Sequence, residues 1–407
     1  MTIGETAVSG KRVAAPAAVA TDVVLFALVI VAAVSIGWIV ASAASGSIPE
    51  QNALFDADTG RVLGNLTGDA DNYYRLKVHP WQGWICVFYQ FVVARLLGLA
   101  PETGVPALSV AMAASGAGLL YVALRRLAIR PWSAASFALL FCSTAGFVFW
   151  SAVPESHVAG GVSTLVALLL MTGAEPRSRR AAFWRPVLAL AAGFSMVITN
   201  AMVWVLRQIT FEPLKAGAHA FFAANLERAR SLWPQAAWSV ALVFAVWAPQ
   251  WLFLRKRIGI PFNFLEERHY VGFGSQSWNW SLHVFGVVPP GTVASVVLAI
   301  ACLVGLIAAL RLLKPKLWFI PLFPLFGVAL HAVYGSDSAF LFSPNYLPLT
   351  VVSFALVAEK ALAKWSPAAV LPLAALLLLF NLQQWRGELH ALDAAGQLKS
   401  YAAALKY

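Results

Sequence analysis

The 407-residue chain is poor in charged residues and in cysteine. Charged side chains make up 12% of it and hydrophobic side chains 60%, whereas soluble proteins average about 25% and about 45–50%. A soluble fold would leave too much of this apolar surface in water, which excludes a set of soluble domains. The three cysteines lie apart in apolar segments without a CxxC pair, which argues against a zinc site or a disulfide framework.

Long apolar segments are abundant, and they predict an all-α fold, a polytopic bundle of transmembrane helices. Each span needs about 20 apolar residues, and the mean hydropathy of +0.73 is that of a membrane protein. We predict about 11 spans in a single integral membrane domain, 1–407. The apolar segments are 21–43, 84–100, 104–124, 133–151, 157–173, 186–206, 237–254, 291–313, 317–334, 346–364 and 367–384.

The net charge of +11 comes from 29 Lys and Arg against 18 Asp and Glu. Cytoplasmic loops of membrane proteins concentrate positive residues, so the excess does not indicate nucleic acid as a partner. With 1–20 in the cytoplasm, this rule predicts that 44–103, 255–290 and the tail 385–407 lie outside. The composition is compatible with a bacterial inner membrane, with the outer loops in the periplasm.

The charge rule requires segment 84–100 to lie along the outer interface instead of crossing. Its aromatic residues and Arg95 are typical of an interfacial helix. Segment 186–206 is then expected to turn near Thr199 and Asn200, giving two short spans. The segment 212–232 is predicted to form an amphipathic cytoplasmic helix.

The first outer loop brings acidic and basic residues close together in sequence. They are Asp56, Asp58, Arg61, Asp69, Asp71, Lys77 and His79. A carboxylate can take the proton of an attacking hydroxyl, and cations can neutralise charge on a departing phosphate. A carboxylate at a membrane boundary is costly unless it is paired or solvated, which makes it a functional candidate. The pattern favours a reaction between a hydroxyl and a lipid-linked phosphate at the outer face.

The order of these segments resembles the glycosyltransferase C superfamily of membrane enzymes, which includes protein O-mannosyltransferases and lipid A aminoarabinose transferases. The resembling segments are FDADTGRV (55–62), YRLKVHPW (74–81), VPESH (153–157), ITN (198–200) and YGSDSAFLFSP (334–344). The first loop has no Asp-Glu pair, and the chain has no large soluble domain after the spans, unlike the best-known members. The resemblance implies inverting transfer from a polyprenyl-phosphate-linked sugar to a hydroxyl of a glycan, lipid or protein.

The resemblance also implies roles for particular residues. Asp58 is the first choice for general base, Asp56 and Asp71 are alternatives, and Glu155 is an orienting group. The donor phosphate is assigned to Arg61, Lys77 and His79. Asp58 could instead cap a turn, and Lys77 could instead snorkel towards lipid headgroups. No cofactor and no metal-ligand set is predicted, and a need for a divalent metal is left open.

Other functions fit parts of the sequence. An O-antigen ligase or polymerase would use basic residues of a large late loop, and 255–290 offers Arg255, Arg257, Arg268 and His269. Arg268 and His269 are therefore further candidates for the donor phosphate. A transporter or flippase of lipid-linked sugars would be expected to show inverted repeats and charges deep in its spans. A noncatalytic scaffold would not explain why charged residues are concentrated in the first outer loop.

Overall fold

The computed structural model describes residues 16–44, 46–54, 57–69, 72–173, 176, 178–254, 257–258, 285, 293–331 and 340–405. About 82% of them are helical, which confirms the all-α fold. The α-helices are α1 Pro16–Ala43, α2 Thr59–Thr67, α3 Gln82–Phe88, α4 Pro101–Arg126, α5 Pro131–Ser143, α6 Ala145–Trp150, α7 Ser156–Thr172, α8 Arg179–Met196, α9 Met202–Gln208, α10 Ala218–Trp247, α11 Gln250–Leu254, α12 Val293–Leu312, α13 Phe319–His331, α14 Ser343–Ala361, α15 Ser366–Ala394 and α16 Tyr401–Ala404.

Short 3₁₀, π and strand segments connect the α-helices. The 3₁₀ segments are Tyr74–Lys77, Ile198–Ala201, Glu212–Ala216, Pro315–Leu317 and Ala363–Trp365, and a π-helix, Tyr89–Leu96, continues α3. The strands are β1 Ser47–Pro49, β2 Asn72–Tyr73, β3 Arg257–Ile258 and β4 Leu398–Ser400. They form two small pairs, β1 with β4 antiparallel and β2 with β3 parallel.

Four helices are long and apolar enough to cross a membrane. They are Val19–Ala43, Pro101–Arg126, Ala218–Leu254 and Ala363–Ala394. Shorter apolar helices accompany them, at Pro131–Ser143, Ser156–Thr172, Val296–Leu312 and Phe319–His331. Many of their large apolar side chains are exposed, as expected of a protein whose outer surface contacts lipid.

Ion pairs join the helices at one end of the bundle. Asp22 near the start of α1 accepts from Nε of Arg125 at 2.6 Å and from Nη2 of the same residue at 3.0 Å. Nε of Arg130 donates to Glu359 at 2.7 Å. Arg125 lies near the end of α4, so the first pair joins α1 to α4. Arg130 immediately precedes α5 and Glu359 lies near the end of α14, so the second pair joins these two helices.

The C-terminal segment closes on the first loop at the other end of α1. Strand β1 pairs with β4 through the partners Ser47 and Ser400, and Trp385 Nε1 donates to the carbonyl of Val40 at 3.0 Å. Helix α15 continues to Ala394, ten residues beyond the predicted apolar segment 367–384. The predicted tail 385–407 is therefore helix and strand over most of its length, and it lies on the same face as the first loop.

The segment predicted to lie at the interface is a short helix. Helix α3 and its π-helical continuation cover Gln82–Leu96, which rises roughly 22 Å at about 1.5 Å per residue, less than the ~30 Å hydrocarbon layer. The indole Nε1 of Trp84 in this helix donates to the carbonyl of Val246 on α10 at 2.8 Å. Segment 81–100 is thus too short for a full crossing and is held against α10.

Two boundaries differ from the sequence-based expectation. The turn predicted near Thr199 and Asn200 is present as a 3₁₀ segment, but α9 has only 7 residues and cannot cross a membrane as a second short span. The amphipathic segment 212–232 is not separate from the next span, because α10 runs through Pro234 without a break. One 30-residue helix, Ala218–Trp247, covers most of both predicted elements.

A close contact between α7 and α14 supplies a test of the packing. A Cβ atom on Gly161 would lie 2.4 Å from the carbonyl oxygen of Pro344, which is backbone that cannot turn aside. We expect Gly161→Ala to destabilise the protein by about 1–3 kcal/mol, measured as thermal unfolding in detergent. Gly387→Ala is the control, since nothing lies within 4 Å of its Cβ position. Equal stability of the two variants would contradict this helix contact.

Candidate active site

Asp58 lies in the part of the first loop that immediately precedes α2, and local hydrogen bonds hold this part in place. Thr59 Oγ1 donates to the carbonyl of Pro49 at 2.8 Å, and the backbone N–H of Ala57 donates to Leu54 at 2.9 Å. Asp58 occupies the N-cap position of α2, yet its side chain makes no capping hydrogen bond. The carboxylate therefore does not cap α2, and its described hydrogen bond goes to another side chain.

The Asp58 carboxylate is oriented by two neighbours. Gln51 Nε2 donates to Asp58 Oδ1 at 2.8 Å, and Arg61 forms an ion pair with Oδ2. Gln51 also accepts from the backbone N–H of Arg61 at 3.1 Å, which joins all three residues. Arg61, predicted to bind the donor phosphate, thus holds the candidate base.

Glu155 joins the first loop to the start of α7. Its side chain is 4% exposed, and it caps the helix by accepting from the backbone N–H of Ser156 at 2.7 Å. Its second oxygen accepts from the backbone N–H of Asp58 at 3.2 Å. A buried carboxylate that accepts backbone N–H bonds is well suited to orient the loop that carries Asp58.

His79 connects to the same carboxylate through a hydroxyl. Its Nδ1 lies 2.6 Å from the carbonyl of Met196, which can only accept, so Nδ1 carries a hydrogen. Its Nε2 lies 3.3 Å from Ser156 Oγ, and that hydroxyl lies 2.8 Å from Glu155 Oε1. Ser156 has a single hydroxyl hydrogen, so it donates to either His79 or Glu155 at any time. The three side chains form a continuous polar chain.

Lys77 is buried at the end of the 3₁₀ turn that precedes His79. The residue is only 6% exposed. A snorkelling lysine keeps its ammonium group in water or among headgroups, so this burial argues against that alternative. A buried ammonium group needs anionic or dipolar neighbours, and an anionic ligand could be one of them.

A second polar group lies deeper in the bundle. Asn345 Nδ2 lies 3.0 Å from His157 Nδ1, which must accept because an amide nitrogen only donates. Asn200 Nδ2 donates to Asn345 Oδ1 at 3.1 Å. The His157 and His79 rings lie 5.5 Å apart, edge to face. Polar side chains therefore extend from the first loop into the core between α7 and α14.

An apolar groove of about 530 Å³ adjoins this polar chain. Side chains of α3, α4, α7 and α8 form its walls, including Trp81 and Trp84. Ser195 and Met196 also line it, and their carbonyls accept from the backbone N–H of Trp81 and from His79. One end of the groove is thus in contact with the His79 side of the site.

The predicted candidates are distributed unevenly. Asp58 and Arg61 meet directly, and Glu155 and His79 join them through Ser156 and the loop backbone. Asp69 is exposed on the surface. Four predicted site residues, Asp56, Asp71, Arg268 and His269, lie outside the described residues.

The sequence-based prediction missed several residues that complete the site. They are Gln51, Ser156, His157, Asn200 and Asn345. Ser156 and His157 belong to the quoted VPESH segment, and Asn200 to ITN, so polar residues beside a predicted turn were the available signal. Gln51 and Asn345 have no local signal, because only the fold brings them to Asp58 and His157.

Tyrosine 73 anchors α2 beneath the site. Burial raises its pKa to about 12, so the phenol keeps its proton at neutral pH. It donates to the carbonyl of Asn65 at 3.1 Å and accepts from Gln90 Nε2 at 3.2 Å.

Within the described part of the chain, no three His, Cys, Asp or Glu side chains converge to hold a metal ion.

No protein-family model, no curated protein and no solved structure matches the chain.

Proposed function

We propose that the protein is an integral membrane glycosyltransferase that uses a polyprenyl-phosphate-linked sugar. It transfers the sugar, with inversion, to a hydroxyl of a glycan, lipid or protein on the outer face of a bacterial inner membrane. The bundle in this proposal keeps the spans predicted from the sequence, about 11, without the short span assigned to α9. Four helices of sufficient length and apolar character, with several shorter ones, support membrane insertion.

The observation that carries the proposal is the contact between the apolar groove and the charged site. A lipid-linked donor needs an apolar surface for its polyprenyl chain and cations for its phosphate at headgroup depth. The groove offers the first. The second is assigned to His79, which contacts the carbonyl of Met196 in the groove wall, and to the buried Lys77 two residues before it in the chain. A soluble sugar nucleotide would not require the apolar wall.

The proposed step is a single displacement. The acceptor hydroxyl oxygen attacks the anomeric carbon while Asp58 takes the hydroxyl proton, and the bond from that carbon to the phosphate oxygen breaks. The departing polyprenyl phosphate keeps the electron pair, and Lys77 and His79 stabilise its charge. Gln51, Arg61 and Glu155 position the base. The step needs no nucleotide and no covalent intermediate.

Filling the groove tests the donor class. Ser115 is exposed on α4 and lines the groove, so Ser115→Trp should obstruct the polyprenyl chain without disturbing the core. With a panel of polyprenyl-phosphate-linked sugars, we expect the variant to raise the KM for the donor tenfold or more, measured as release of free polyprenyl phosphate. Ser35→Trp is the matched control, because Ser35 is exposed on α1 and does not line the groove. Failure of every donor to bind would contradict the proposal.

Cysteine labelling tests the proposed orientation. Single cysteines at Ser178 and at Asp69, both exposed, should react with a membrane-impermeant maleimide from opposite sides, Asp69 from the periplasm. The native cysteines Cys86, Cys142 and Cys302 are buried and should give little background. Labelling of position 178 from the outer side alone would reverse the orientation.

An O-antigen ligase or polymerase activity is the second candidate. Backbone pairing of β2 with β3 brings Arg257 opposite Asn72, so the start of the 255–290 loop lies beside the first loop. Substitutions in the 255–290 loop can therefore test whether that loop contributes residues to the site that contains Asp58. In a ligase of this kind, Arg268→Gln and His269→Gln should reduce transfer more than Asp58→Asn does.

A further inference from the structure

A second cavity, of about 310 Å³, lies between α9 and α10. Its apolar walls include Trp204, Leu232 and Trp233, and its polar rim includes Gln208, Asn225 and Arg228. Arg207 at the end of α9 is close enough to Arg185, in the basic first half of α8, for their charges to interact, which places this end of α9 near that part of α8. It shares no lining residue with the groove beside His79.

The rim of the cavity is fixed by hydrogen bonds. Arg228 Nη2 donates to Gln208 Oε1 at 3.3 Å, which holds the guanidinium at the mouth. Asn225 accepts from the backbone N–H of Thr210 at 2.8 Å and donates to its carbonyl at 3.0 Å. These hydrogen bonds fix the loop after α9 to α10, and they hold the guanidinium of Arg228 in a defined position at the mouth of the cavity.

The wall contains a donor without an acceptor. Trp204 is only 7% exposed, and its indole N–H has no hydrogen-bond partner among the residues that the structure describes. An indole nitrogen only donates, and buried tryptophans usually find an acceptor. A ligand with an oxygen atom inside the cavity would supply the missing hydrogen-bond acceptor for the indole N–H.

The surrounding charge is positive. Arg207 is partly buried next to Gln208, and the charges of Arg228 and Arg185 act on it. Neither Arg207 nor Arg228 forms an ion pair with a carboxylate in the described chain, where the ion pairs join other residues. The site is therefore complementary to an anion.

We propose that this cavity binds the headgroup of an anionic membrane phospholipid. Arg228 contacts a phosphate oxygen, the Trp204 N–H donates to a phosphate or ester oxygen, and an acyl chain follows Leu232 and Trp233. The 71% exposure of Trp233 shows that this wall opens to the surface of the bundle. Basic pockets between membrane helices favour such headgroups. The inference is independent of the transferase proposal.

Lipid titration of the full-length protein, purified in neutral detergent and followed by native mass spectrometry, tests the site. The probes are dioleoylphosphatidylglycerol and dioleoylphosphatidylcholine, which differ in headgroup charge. We expect about tenfold tighter binding of the anionic lipid, and about a tenfold loss in Arg228→Gln, as for the loss of one charge-assisted hydrogen bond. Trp204→Phe keeps the ring but removes the donor, and should weaken binding about threefold.

The controls are matched on the same helix. Arg230→Gln removes an exposed positive charge two residues further along α10, and Trp238→Phe removes an indole N–H outside the cavity. Both should bind within about twofold of the unchanged protein. Equal affinity for the two lipids, or equal losses in Arg228→Gln and Arg230→Gln, would overturn the proposal. Displacement of the lipid by millimolar inorganic phosphate would also overturn it, in favour of a free-anion site. Arg228 is exposed, so its variant should fold even if Trp204→Phe does not.

Discussion

Replacing Asp58 by asparagine should lower sugar transfer by about 10²–10⁴-fold, the usual contribution of a positioned general base. The amide is close in shape to the carboxylate and can still accept from Gln51 Nε2, but it cannot take the proton of the acceptor hydroxyl. Donor affinity should change little, because Asp58 does not contact the lipid phosphate in the proposed step. Release of free polyprenyl phosphate in the presence of acceptor measures transfer, and native mass spectrometry measures donor binding.

Asp69→Asn is the matched control for this experiment. It lies in the same loop and loses the same charge, but Asp69 is exposed. We expect its activity to stay within about twofold of the unchanged protein. Full transfer by Asp58→Asn would remove Asp58 as the base and leave Asp56 and Asp71 as the first-loop candidates. Loss of thermal stability in Asp58→Asn would instead indicate that its ion pair with Arg61 is mainly structural.

The helices that the sequence predicts well are those in which one long apolar segment forms one element. Segment 21–43 lies within Pro16–Ala43, 104–124 within Pro101–Arg126, and 291–313 is close to Val293–Leu312. Their apolar composition favours an environment without water, where the backbone must make its hydrogen bonds within the segment and therefore forms a helix. Local sequence is sufficient in such cases.

The helix boundaries that differ were decided by tertiary context. The amphipathic segment 212–232 and the apolar segment 237–254 predicted two elements, yet α10 continues through Pro234. A proline removes one backbone hydrogen bond, and membrane helices tolerate that loss where neighbouring groups compensate. The short α9 could not be predicted either, because a helix of 7 residues depends on packing against its neighbours.

The candidate site was predictable in its charged residues and not in their partners. Asp58 and Glu155 were both identified, but their contact joins residues 97 positions apart and arises only when α7 packs beside the first loop. The role of Arg61 shows the same limit. Its sequence position favoured a phosphate ligand, whereas its location three residues after Asp58 on α2 favours the ion pair that forms.

Removing the charge of Lys77 should weaken donor binding by about tenfold to a hundredfold. Lys77→Met keeps most of the aliphatic stem in the buried position and removes the ammonium group. A hydrogen bond to a charged group contributes about 1.5–3 kcal/mol, and each 1.4 kcal/mol is about tenfold in affinity. Titration of the purified protein with a polyprenyl-phosphate-linked sugar measures the loss, and the same titration with free polyprenyl phosphate should show a similar loss.

Lys399→Met is the control for a general effect of positive charge on the same face. Lys399 lies on β4, and its ammonium group is 3.8 Å from Glu50 at the surface. Its removal should leave donor affinity within about twofold. If Lys77→Met binds the donor as tightly as Lys399→Met does, Lys77 has no role in phosphate binding. A Lys77→Met protein that binds weakly but unfolds at the same temperature as the unchanged protein would place the loss at the donor phosphate, because a structural lysine would affect both.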